Sequence, residues 1–283
     1  MPTREAFEHG LYLTKCFHET AGLLAAAGVD FAPLKGMSHL VQGTYPDETC
    51  RAMADLDLFI AASDYPKART ALAAAGCLPA EPPLRGGVMK NHGQEVAFRR
   101  PDGVEIDLHH RFFPWYEETH LYKIQSREMF ASARRGSWKG IPMRFLVPED
   151  EFYYALLSLE REPGAGRYAL DADAIVRARY NGLDWDKAAR YLADSPLRGR
   201  LSASVRSLGA KLGTPFPRGW LDRLPTSVRR ASGSTALSRL LSAGTWEGRA
   251  AIVGVFLKWQ FFKRFGWFTG YFISHNNPCG KME

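Results

Sequence analysis

Apolar and polar residues along roughly the first half of the chain switch between a helical period and a strand period. In "REAFEHGLYLTKCFHETAGLLAAAG" the apolar positions Leu11, Leu13, Phe17, Leu23 and Leu24 track a helical stripe that stops at Gly28. The short apolar run "VDFAPL" predicts a strand, and after the "KGM" turn a short helix runs to about Gly43. "TYPDETC" is built of turn formers and reads as a loop; "LDLFI" reads as the next strand. Ser63 is placed to cap a helix through "DYPKARTALAAAG", with Pro66 in its first turn and Gly76 ending it. A further strand is expected near "CLPA". Then "QEVAFRR" and "VEIDLHH" flank "PDG", where Pro sets one φ and Gly supplies a positive one, so a β-hairpin is predicted.

From "PEDEFYYALLSLE" onward strand signals fade and helical ones recur, in "ALDADAIVRARY", "DWDKAARYLADS", "RGRLSASVRSLGAKLG" and a last segment near "RAAIVGVFLKWQFFKRFGWF". The pattern predicts an α+β protein: a mixed sheet flanked by helices in residues 1–145, followed by a helical domain over 146–283. Gly/Pro-rich pieces at 79–87 and 213–219 read as loops, and no internal repeat is visible.

Strand alternation also sorts the charged residues. It puts Val104, Ile106 and Leu108 on one face of their strand and Glu105, Asp107 and His109 on the other. By the same rule Leu56 and Leu58 oppose Asp55 and Asp57. Carboxylates gathered on one face repel, and a buried unpaired charge is costly, so such a cluster calls for a positive partner. Mg²⁺ or Mn²⁺ provides one, since a hard cation takes carboxylate and phosphate oxygens. A strand with aspartates on its solvated face gives the same pattern, so the D-x-D alone leaves both readings open.

Lys35 and Gly36 stand at a strand-to-helix junction, where backbone N–H groups, an ammonium and a bare glycine suit a phosphate. Arg51 precedes Asp55 by four residues and offers a guanidinium fork. His109 shares a face with Asp107; it reads either as a general base or as a support for a neighbouring carboxylate. No G-x-S-x-G, G-x-x-x-x-G-K-[ST] or G-x-G-x-x-G occurs, which removes the main support for hydrolase, P-loop and Rossmann readings.

Composition adds bounds. With 46% hydrophobic and 24% charged residues the 283-residue chain has the make-up of a globular protein. The four cysteines form no C-x-x-C pair, and the N-terminus lacks an uninterrupted apolar h-region, so a cytoplasmic protein is expected. No run approaches the ~18 uncharged apolar residues of a spanning helix. Acidic and basic residues balance over 1–145, and the whole net charge of +7 falls on 146–283. That half could meet RNA or an anionic surface, or simply be an Arg-rich solvated face. Likewise the aromatic-basic segment with Lys258, Lys263 and Arg264 reads as a docked helix, an interfacial helix or a base-stacking surface.

Taken in order, "PLKGMSHL", "RAMADLDLFI" and "VEIDLHHRFF" resemble the polymerase-β-type nucleotidyltransferase superfamily. More narrowly, they are similar to a bacterial family described as uncharacterised nucleotidyltransferases, with L-K-G, R-x-x-x-D-h-D and h-D-h-H blocks over about residues 20–115. The resemblance implies Mg²⁺-dependent transfer of a nucleoside monophosphate from an NTP, ATP among the candidates, to an acceptor hydroxyl on a small molecule, protein or RNA. It implies catalytic and metal-holding roles for Asp55, Asp57 and Asp107, nucleotide contacts from Lys35, Gly36, Ser38 and Arg51, and a supporting place for His109. An RNA-directed toxin-like transferase and a noncatalytic scaffold on a degenerate transferase fold are the alternatives. Met37 departs from the superfamily, standing where its turn carries a second small residue.

Overall fold

The computed structural model describes residues 4–46, 50–80, 94–113, 118, 123–162 and 166–226. Contacts group Met1–Arg229 as one compact unit and Arg230–Glu283 as another. The predicted C-terminal aromatic-basic segment lies in the second, outside the described residues.

The strand and helix signals of the first half translate into α1 (Arg4–Ala26), β1 (Phe31–Pro33), α2 (Lys35–Val41), β2 (Leu56–Ile60), α3 (Tyr65–Ala74), β3 (Leu78–Pro79), β4 (Glu95–Arg99) and β5 (Glu105–His109). These five strands form one mixed sheet in the order β1-β2-β5-β4-β3. Only β2 and β5 pair in parallel; the other neighbours are antiparallel. The "PDG" hairpin forms as its turn chemistry dictates, with Gly103 at φ +90°.

Two elements carried no sequence signal strong enough to predict. They are the short helix α4 (Ser126–Ser132) and a separate hairpin of β6 (Arg134–Trp138) and β7 (Ile141–Phe145). Lys139 and Gly140 turn that hairpin with φ of +46° and +82°, the paired positive values that suit a tight two-residue turn. Helices then follow without interruption by strands: α5 (Pro148–Arg161), α6 (Arg167–Arg179), α7 (Trp185–Asp194) and α8 (Arg198–Leu212). Asp184 caps α7 by accepting from the Lys187 N–H. None of the described helices is long and apolar enough to cross a membrane.

Two apolar cores enclose the sheet. One joins Leu13, Phe17 and Leu24 of α1 to Leu56, Leu58 and Ile60 of β2, Leu72 of α3 and Ile106 and Leu108 of β5. The other joins Phe59 of β2, Phe112 and Phe113 to α5, α6, α7 and α8. Every residue of β2 is therefore buried, its even positions facing α1 and α3 and its odd positions facing the helices. The face that carries Asp57 is the one that packs toward the helical part.

Two local expectations need correction. Leu11 and Leu23 are 43% and 37% exposed, because each lies ~100° or ~200° around the helix from the Leu13–Phe17–Leu24 line. Ser63 caps nothing: it sits inside a 3₁₀ turn (Ala62–Asp64), and no side-chain cap bond precedes Tyr65.

Candidate active site

Parallel pairing of β2 with β5 sets Asp57 in register with Asp107. Both side chains leave the same face, and His109, two residues on, shares it. One potential ligand atom from each of Asp57, Asp107 and His109 falls within 4.8 Å of the others, so these three could hold a divalent cation. Asp55, just before β2, lies outside that group, although its carboxylate is close enough to Asp57 to feel its charge.

The chain leaving β1 supplies the counter-charge. The Leu34 N–H donates to the Asp57 carbonyl, and Lys35 follows with φ +50°, which brings its Nζ to 2.5 Å from Asp57 Oδ1. His109 Nε2 donates to the same oxygen at 2.8 Å, and its Nδ1 lies 3.1 Å from Glu95 Oε2. Burial alone would raise the Asp57 carboxyl, but the His109 hydrogen bond and the Lys35 ammonium outweigh it and hold the group below its ordinary range. Asp107 moves the other way. Burial, Glu95 and Asp57 push it up to about 7. Asp55 is likewise raised, by burial and then by Asp57. Three carboxylates that cannot all ionise cheaply are a site that favours an added cation.

Lys35, Gly36, Asp55 and Asp57 open onto a cleft of about 210 Å³ whose other walls include Arg51, Met53, Arg167 and Tyr168. Asp107 is not part of that lining. Gly36 serves a packing purpose: a Cβ there would come within 2.6 Å of Met53 Cγ, so the bare glycine lets Met53 lie over the turn.

Arg51 is placed differently from a free phosphate clamp. Its Nε and Nη2 donate to both oxygens of Asp171 on α6, at 2.8 and 2.9 Å, and its Nη1 donates to the Ala52 carbonyl. Ser38 turns away from the cleft and donates to the buried Glu151 Oε1 at 2.5 Å. The structure thus brings Lys35, Gly36, Asp55, Asp57, Asp107 and His109 together, ties Arg51 to α6, and directs Ser38 into the interior. Glu95 and Arg167 went unnoticed in the sequence. Extending the hairpin alternation from Asp107 and His109 across to β4 would have found Glu95, which pairs in register with His109. Arg167 opens α6, contacts Glu162 at 2.9 Å and acts on Asp55 through charge; it belongs to no motif.

A family model described as uncharacterised nucleotidyltransferase matches residues 3–209, which include every residue of this site. The chain belongs to this family of nucleotidyltransferases. No curated protein matches it in sequence. Among solved structures, the nucleotidyltransferase resembles the solution structure of the antibiotic-resistance factor ANT(2'')-Ia at 12% identity, covering 72% of this chain and 96% of that one, with a TM-score of 0.43. A crystal structure of ANT(2")-Ia in complex with adenylyl-2"-tobramycin gives 12% identity, 69% and 99% coverage and a TM-score of 0.43. An antigenic nucleotidyltransferase-like protein from Paracoccidioides brasiliensis gives 17% identity, 69% and 92% coverage and a TM-score of 0.39.

Proposed function

We propose that this nucleotidyltransferase moves a nucleoside monophosphate from an NTP, ATP among the candidates, to an acceptor hydroxyl, with pyrophosphate released and Mg²⁺ or Mn²⁺ required. The observation that carries the reading is the register pairing of Asp57 with Asp107 on parallel strands, with His109 beside them and the Lys35 ammonium 2.5 Å from Asp57. Asp57 and Asp107 are the residues to hold the cation, with Asp55 adding charge beside them. A bound divalent metal supplies Lewis-acid polarisation of phosphoryl oxygens and neutralises the charge of the leaving pyrophosphate.

The chain's own groups account for the rest. Lys35 meets the phosphates from the α2 turn, and Arg167 meets them from the start of α6. His109 holds Asp57 in place through its Nε2 hydrogen bond. The acceptor oxygen attacks the α-phosphorus, the bond to the bridging oxygen breaks, and Asp107 receives the hydroxyl proton. Burial and Glu95 raise its carboxyl while no cation is bound, and a cation held by it would favour the ionised form that accepts the proton.

Calorimetric titration of each NTP, with and without Mg²⁺, tests the reading in the wild type, Asp57→Asn and Asp107→Asn. Mg²⁺-dependent binding of at least one NTP is expected, weakened by about tenfold or more in both variants, as loss of a charge-assisted ligand implies. A folded wild type that binds no NTP would return the argument to a scaffold on a transferase fold.

A further inference from the structure

We infer that the Lys35 ammonium and a divalent cation compete for Asp57, so that arrival of the cation frees Lys35 for the substrate phosphates. This rests on the proposed metal role of Asp57 and adds to it an order of events.

Asp57 is 5% exposed, and its Oδ1 already accepts from Lys35 Nζ at 2.5 Å and His109 Nε2 at 2.8 Å. The same carboxylate contributes to the cluster that could ligate a metal. An ammonium and a divalent ion on one carboxylate that is so nearly closed to solvent repel each other with little screening. His109 can stay, because a histidine beside a metal-bound carboxylate is a common supporting arrangement. Lys35 is the group that has to yield.

Its position suits that movement. The backbone is anchored, because the preceding Leu34 N–H is bonded to the Asp57 carbonyl, whereas the side chain is a flexible four-carbon stem. Lys35 also lines the cleft, as do Gly36 and Arg167, so a short swing takes the ammonium from Asp57 into the space where phosphates are proposed to lie. Until then it satisfies a carboxylate that would otherwise be buried without a cation, which is the costly arrangement.

Manganese(II) titration without nucleotide, read by the electron paramagnetic resonance of free Mn²⁺, tests this in the wild type, Lys35→Met, Lys35→Gln, Arg167→Met and Asp57→Asn. Competition predicts that both Lys35 variants bind Mn²⁺ at least tenfold more tightly than the wild type. Arg167→Met, which removes an equal charge from the same cleft without touching Asp57, should change affinity by threefold or less. If the wild type binds Mn²⁺ and Asp57→Asn does not, yet the Lys35 variants bind no more tightly, the competition is overturned and the metal site stands. An equal gain from Arg167→Met overturns it too, since general charge would then explain the effect. Absence of Mn²⁺ binding in folded wild type and Lys35 variants alike would overturn both the competition and the metal role.

Discussion

Arg51 and Asp171 stand 120 residues apart, yet they form a bidentate pair that is nearly closed to solvent, with Tyr45 donating its hydroxyl to the same carboxylate. A buried fork of this kind joins the loop before β2 to α6, and with it the two walls of the cleft. Removing one partner leaves the other charge buried and unpaired, so Arg51→Ala should cost about 3–5 kcal/mol in urea unfolding. In an Asp171→Asn background the further loss should be much smaller, because the two changes remove one interaction. An Arg51→Ala protein that unfolds at the wild-type midpoint but loses NTP binding would restore the phosphate role suggested by its place in the sequence.

Helix α5 begins with Pro148 and three acidic residues, which suits the positive end of its dipole, but all three are buried. Glu149 and Asp150 are paired with Lys187, whereas Glu151 accepts from the neutral groups of Ser38 and Gln42, with His39 Nδ1 4.0 Å from the same oxygen. Burial therefore pushes the Glu151 carboxyl up to about 7, against the pull of the Ser38 hydrogen bond. Nearby His39 moves down to about 4 through burial, with Asp171 opposing and Arg51 adding to the shift. The signs follow from proton counting. Glu151 holds its proton more tightly when folded, so its contribution is full below about 4.5 and is lost as pH rises through about 7. His39 binds a proton less readily when folded, so stability falls as pH drops from about 6.5 toward 4. Glu151→Gln should thus be more stable than wild type at pH 8, by up to about 3 kcal/mol, with the difference vanishing near pH 4. Urea unfolding at both pH values checks this; an unchanged difference across the range would mean that Glu151 does not titrate there.

Across the molecule, β2 is the shared wall of two cores. Phe59 stacks on Phe112 with ring centroids 4.4 Å apart and leans on Phe130, whereas its neighbours Leu58 and Ile60 point into the core under α1 and α3. Phe59→Ala should cost about 3–5 kcal/mol and, because Asp57 lies two residues away on the same face, also weaken Mg²⁺-dependent NTP binding. Measuring both on one sample tests the link: normal binding in a strongly destabilised variant would separate the core from the site.

Much of this arrangement is local and could be read from order alone. The period of two in "LDLFI" and "VEIDLHH" sorted Asp57, Asp107 and His109 from the apolar residues, and "PDG" set the hairpin that carries the latter pair. Those features depend on neighbours a few residues away, where backbone geometry leaves little choice. Leu11 and Leu23 show the bound of that reasoning, since an apolar residue is free to stay outside when its helix angle points there. Partner choice is different. Which donor meets which carboxylate depended on distant segments being packed together: Arg51 with Asp171, Ser38 with Glu151 across 113 residues, and Lys35 with Asp57. Residue types and spacing named the groups able to do the chemistry; burial on both faces of β2 decided which were left facing the cleft, because a buried charge takes whichever partner the packing brings within reach.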